Sequence, residues 1–196
     1  MAVPFVGLTG GLGAGKSTAL AALERHGATV LSTDAVVHEL YRSQSVRDAL
    51  RERWGDSAFA AQQVDRGAIA RRVFSNPPER AWLEGLLWPL VAERVDEFRD
   101  DLVLQSPPPV AAVVETPLLF EAGGDARFDV TIAIVADDQL RAARIAARDQ
   151  QELAAREARQ LSQDEKARRA TYVVVNDGSI EDLDAALAAI LAGLSG

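Results

Sequence analysis

The sequence predicts a three-layer α/β/α fold around a five-stranded parallel sheet, with a helical insertion and a helical lid. Three observations predict it. Short apolar runs at residues 3–8, 28–31, 110–114, 129–135 and 170–175 read as buried strands, and helical patterns follow most of them, the alternation that builds parallel sheets. Residues 10–17, Gly-Gly-Leu-Gly-Ala-Gly-Lys-Ser, match GxxxxGK[ST] at every specified position, between the first strand and a helix over 17–25. Residues 41–106 read mainly helical, carry Trp54, Trp82 and Trp88, and are too long for a simple crossover, so they form an insertion.

Composition sets the frame. A chain of 196 residues with 48% apolar content can bury one substantial core without disulfides, and it contains no cysteine. A net charge of -8 argues against broad nucleic-acid binding, which needs a basic surface. No apolar run reaches membrane-spanning length and no secretory pattern opens the chain, so a cytoplasmic protein without a membrane partner is expected.

The glycine-rich motif explains itself chemically. Its glycines let consecutive N–H groups approach phosphate oxygens, and the helix beginning at Gly15 to Ser17 adds its positive end. Lys16 then reaches the β and γ phosphates and the Ser17 hydroxyl ligates Mg²⁺. Only Lys16 and Lys166 among the 21 basic residues are lysines. A lysine where a compact ammonium is wanted therefore stands out against an arginine background.

The first helix should end near His26-Gly27, where glycine suits a C-terminal cap. The strand at 28–31 runs into Ser32-Thr33-Asp34 and a helix over 35–40. A carboxylate at Asp34 could accept a proton from a hydroxyl attacking the γ phosphate, or could cap the helix; this segment alone leaves both open. In the insertion, 66–74 and 78–104 look amphipathic, with Asn76-Pro77-Pro78 as the break. Its aromatics read as core more often than as ligand contacts.

Glu115, at the tip of the strand over 110–114, is a candidate second-sphere ligand for Mg²⁺, with a solvated strand-end carboxylate as the alternative. Arg141, Arg144 and Arg148 share one helical face, and Arg156 and Arg159 follow, a stripe that could close over a triphosphate. Asn176, after the last strand, stands at the correct end to approach a nucleotide base or to serve the turn 176–179. Ser179 with Asp182 three residues on caps the final helix.

Together these motifs resemble the dephospho-CoA kinase family over essentially the whole chain. The resemblance rests on residues 7–18, Asp34, Leu86-Leu87-Trp88-Pro89-Leu90, Pro117-Leu118-Leu119-Phe120-Glu121, Arg148-Asp149, and the turn Asn176-Asp177-Gly178-Ser179. It implies a P-loop kinase that transfers the ATP γ phosphate to the ribose 3′-hydroxyl of dephospho-CoA, the last step of coenzyme A biosynthesis. Asp34 would be the base, Lys16 and Arg148 would stabilise the transferring group, and Ser17 would bind Mg²⁺. ATP would be held by Gly11, Leu12, Gly13, Ala14, Gly15, Lys16, Ser17, Thr18, Arg144 and Asn176. The acceptor would meet Thr9, Asp34, His38, Pro117, Leu118 and Leu119.

The resemblance divides the chain into a core of 1–34, 107–136 and 166–196, an acceptor subdomain of 35–106 and a lid of 137–165, acting as a monomer or weak homo-oligomer. Three positions depart from the family pattern: Ser32 where an aspartate is usual, His38 where arginine is common, and Trp88 in place of a histidine. Two rivals remain at this level. One is another small kinase of the same fold acting on a nucleotide or sugar. The other is a GTP-driven switch, disfavoured because no NKxD guanine signature is present.

Overall fold

The computed structural model describes residues 2–146 and 160–194. It divides into two units, a sheet unit of residues 1–32 and 98–196 and a helical unit of residues 33–97.

The sheet unit holds five parallel strands. They are β1 (Phe5–Gly10), β2 (Thr29–Ser32), β5 (Ala112–Glu115), β6 (Val130–Val135) and β7 (Tyr172–Val175), in spatial order β2-β5-β1-β6-β7. Strand β1 is central and buried at every residue, as a continuous apolar run with helices on both faces requires. On one face Val6, Leu8, Val113, Ile132 and Ile134 pack against α1 (Lys16–Arg25) and the final helix, α8 (Ile180–Leu194), through Ala19, Leu23, Leu183 and Leu187. On the other lie Phe128, stacked on Phe5 at 4.9 Å, and α7 (Gln163–Arg169), whose Lys166 bonds to Thr9. Helix α6 (Asp138–Ala146) follows β6.

Local expectations hold at the ends of these helices. Gly27, with φ +90°, follows α1 and is left-handed, as a glycine cap should be. Ser179 and Asp182 exchange hydrogen bonds at the start of α8, completing the capping box.

The helical unit has its own core of Val46, Leu50, Trp54, Ala58, Ile69, Leu83 and Leu87. These residues come from α3 (Gln44–Trp54), the 3-10 turn that follows it, α4 (Arg66–Phe74) and α5 (Pro77–Asp100), and Val37 and Leu40 of α2 (Thr33–Leu40) pack against them. Trp54 meets Trp82 edge-on at 5.0 Å, while Trp88 is 48% exposed, so two tryptophans are packing residues and one is not. The sequence reading placed no strand here, yet a small hairpin is present, β3 (Phe59–Ala60) and β4 (Gln63–Val64). Two-residue strands are too short to show a period of two. The turn residues Ala61 and Gln62 both take positive φ without the glycine or asparagine that marks such turns.

Candidate active site

The phosphate loop, residues 10–17, joins β1 to α1 at the carboxyl edge of the sheet, where ligands of open α/β sheets bind. Its course needs positive φ at Gly13 (+74°) and Gly15 (+97°). A Cβ on Gly15 would lie 2.2 Å from Asn176 Nδ2, so the approach of the β7 turn also requires glycine there. Asn176 is 7% exposed and donates from Nδ2 to the Ala14 carbonyl at 2.8 Å. Its Nδ2 thus holds the loop at the phosphate site.

Lys16 Nζ donates to the carbonyls of Gly10 and Gly11, both at 3.1 Å, so the ammonium curls over the start of the loop. Ser17 and Thr18 are exposed in the first turn of α1, where unpaired N–H groups favour an anion. Two arginines of the predicted stripe reach the loop's backbone. Arg141 Nε donates to Leu12 O at 2.8 Å, and Arg144 donates to Gly13 O and Asn176 O, each at 3.3 Å. A cavity of about 350 Å³ opens beside them, lined by Gly11, Arg141, Ser162 and Gln163 among others. Arg148, Arg156 and Arg159 lie outside the described residues.

At the carboxyl end of β5, Glu115 is 6% exposed and accepts a hydrogen bond from Ser32 Oγ at 2.6 Å. The strand-end carboxylate is therefore buried and oriented rather than solvated. Serine at position 32 supplies a donor where a second acidic group would repel Glu115.

Sequence reasoning passed over Lys166 as a site residue. It is fully buried, and its Nζ donates to Pro117 O at 2.5 Å, to Thr9 Oγ1 at 3.4 Å and to Glu121 Oε1 at 3.0 Å. Burial holds its ammonium below the ordinary lysine value of 10.5, and the Glu121 carboxylate opposes that shift. Glu121 Oε1 also accepts from Leu161 N at 2.7 Å. One cation thereby ties together the end of β1, the segment after β5 and the start of α7. Thr9, fully buried, and Leu119, 1% exposed, belong to this packing. Their side chains pack within this segment. Pro117 and Leu118 are half-buried. The signal for Lys166 was the one already noticed, a second lysine in an arginine chain.

In the helical unit, Asp34 is exposed in the first turn of α2 and His38 stands one turn on along the same helix. His38 Nε2 lies 2.9 Å from Arg42 Nη2, and its Nδ1 lies 2.9 Å from Arg66 Nη1. Arg66 is 28 residues from His38, so no local spacing announces that contact.

A parallel sheet with a phosphate loop leaving its central strand, and a lysine and serine closing that loop, defines the P-loop nucleoside-triphosphate-binding proteins. The family model for dephospho-CoA kinase matches residues 4–182, and the chain belongs to that family. It is 36% identical over 199 residues to a dephospho-CoA kinase of Thermus thermophilus, covering 98% of this chain and 92% of that one. A dephospho-CoA kinase of Deinococcus radiodurans is 36% identical over 189 residues, covering 95% and 90%. A crystal structure of a Thermus thermophilus protein, 36% identical and covering all of both chains, superposes with a TM-score of 0.82.

Proposed function

We propose that this chain carries the γ-phosphoryl group of ATP to the ribose 3′-hydroxyl of dephospho-CoA, giving CoA and ADP, with Lys16, Asp34 and Arg148 as the catalytic residues. The carrying observation is the loop itself, glycine-shaped, pinned by Asn176 and Arg144, and ending in Lys16 and Ser17. Phosphoryl transfer asks for positioning and charge stabilisation, and such a loop supplies both.

In this reading the backbone N–H groups of residues 11–18 hold the phosphates of ATP. Lys16 exchanges the carbonyls of Gly10 and Gly11 for β- and γ-phosphate oxygens, a better match for an ammonium. Arg144, which reaches the loop backbone, would meet the charge that builds up on the transferring group, and the family resemblance gives Arg148 the same role. Asp34, two residues beyond the end of β2, orients the acceptor hydroxyl and takes its proton. His38, Pro117 and Leu118 contribute to acceptor binding.

The residues present fit Mg²⁺. The Ser17 hydroxyl is exposed beside the loop, and the buried Glu115 carboxylate is the acidic group at a strand tip that such a hydrated ion uses. When bound, the ion would neutralise charge on the β and γ phosphates. No helix among the described residues is long and apolar enough to cross a membrane, and we place the enzyme in the cytoplasm, where ATP is supplied.

Product analysis tests the assignment. The product from dephospho-CoA and ATP should gain the mass of one phosphoryl group and show a monoester phosphorus resonance coupled to the ribose 3′-proton. A phosphate at the 2′ position, or on the pantetheine hydroxyl, would overturn it.

A further inference from the structure

We infer that Arg42, His38 and Arg66 form an anion subsite of the helical unit, which takes the 5′-diphosphate of the acceptor while Asp34 meets its 3′-hydroxyl. The inference rests on the acceptor reading above and adds to it two residues and the chemical group they recognise.

The geometry around His38 is short of acceptors. A guanidinium can only donate, and a neutral imidazole offers one acceptor nitrogen and one N–H. Guanidinium nitrogens stand 2.9 Å from both ring nitrogens, so one contact sets donor against donor. Protonation of the ring would leave both in that state. An oxygen-rich anion seated among the three groups resolves the conflict, because it accepts from every one of them.

The two arginines are also unmatched in charge. Elsewhere in the helical unit Arg53 meets Glu79 at 3.1 Å and Arg94 meets Glu97 at 2.9 Å. Arg42 and Arg66 are exposed and, among the described residues, bond to the imidazole and to no carboxylate. In a chain of net charge -8, two such cations flanking one ring form a local positive site.

Spacing selects the ligand. Asp34 and His38 are four residues apart on α2, about 6 Å along the axis and on one face. A nucleotide acceptor presents its 3′-hydroxyl and its 5′-phosphate on opposite sides of a single ribose ring, a separation of that order. An acceptor with its hydroxyl at Asp34 therefore brings its 5′-diphosphate to the cluster. Discrimination against adenosine and free sugars, which lack that diphosphate, follows from the same contact.

Steady-state kinetics and calorimetry with Arg42→Gln, Arg66→Gln and the double variant test this. Each single variant should raise the KM and the Kd for dephospho-CoA about tenfold, and the double variant about a hundredfold, the scale of a lost charge-assisted hydrogen bond. The KM for ATP should stay the same, and the preference for dephospho-CoA over adenosine should collapse. Arg66→Lys should recover part of the affinity, and Arg25→Ala, whose partner is Asp184, should change nothing. An unchanged Kd for dephospho-CoA in the double variant, or an equal loss with adenosine, would overturn the inference. Absence of turnover in the unmodified protein would count against the acceptor reading alone, because calorimetry still reports whether the cluster binds the diphosphate. Circular dichroism confirms that each variant is folded.

Discussion

In the sheet unit the groups around the phosphate loop are turned inward and bonded to backbone: Asn176 to Ala14, Arg141 to Leu12, Lys166 to Pro117. In the helical unit Asp34, Arg42 and Arg66 are exposed side chains on helix surfaces. The difference follows from what each unit would bind. A triphosphate is a dense anion that backbone N–H groups and a helix end can hold, so side chains are free to brace the loop. An acceptor must be told apart from other hydroxyl compounds, and side chains do that. Substitutions in the first unit should therefore act through loop shape and stability, and those in the second through acceptor kinetics.

The sharpest division is expected at Asp34. Asp34→Asn should retain ATP binding by calorimetry and lose about 10²–10⁴ in kcat, the scale of a general base. Unchanged turnover would reduce Asp34 to a helix-cap residue. Lys166→Met should act oppositely, lowering stability by about 3 kcal/mol in denaturant unfolding, because the mostly buried Glu121 is left without a counter-charge. The double substitution Lys166→Met with Glu121→Leu should recover much of that loss. A large loss of kcat in Lys166→Met without loss of stability would show that this lysine takes part in the chemistry.

Gly15→Ala is a smaller disturbance of the loop. The left-handed φ of +97° costs about 1–2 kcal/mol for alanine, and the new Cβ must displace the Asn176 amide. ATP affinity should fall about tenfold while the KM for dephospho-CoA stays within a factor of about two.

The smallest effect concerns acid. Glu79 accepts from Arg53 and Trp54 Nε1, and those bonds hold its carboxyl below the ordinary value of 4.5. The stability it contributes is complete above 4.5 and is lost as pH falls through the lowered value. All three tryptophans belong to the helical unit, so their fluorescence reports that unit. Unfolding in acid should be less steep in Glu79→Gln than in the unmodified chain.

The strands and the loop were legible because each leaves a local mark. Apolar runs such as 110–114 sit between turn residues, and Gly15-Lys16-Ser17 has a fixed order. The Ser179–Asp182 cap was legible for the same reason. What escaped depends on contacts between distant residues. Lys166 meets Thr9 across 157 positions and Arg66 meets His38 across 28, and no pattern within a window carries either. The burial of Leu119 and Thr9 within the Lys166 cluster likewise depends on distant contacts and leaves no local mark. The hairpin at 59–64 escaped because Ala61 and Gln62 are not turn-forming types.

The most direct test of the account is ADP release from ATP and Mg²⁺ with dephospho-CoA added or omitted, and with AMP, adenosine and a sugar as other acceptors. The account predicts release that depends on dephospho-CoA, with CoA as the product by mass and little stimulation by the others. Release stimulated equally by a plain nucleoside or sugar, or independent of any acceptor, would contradict it.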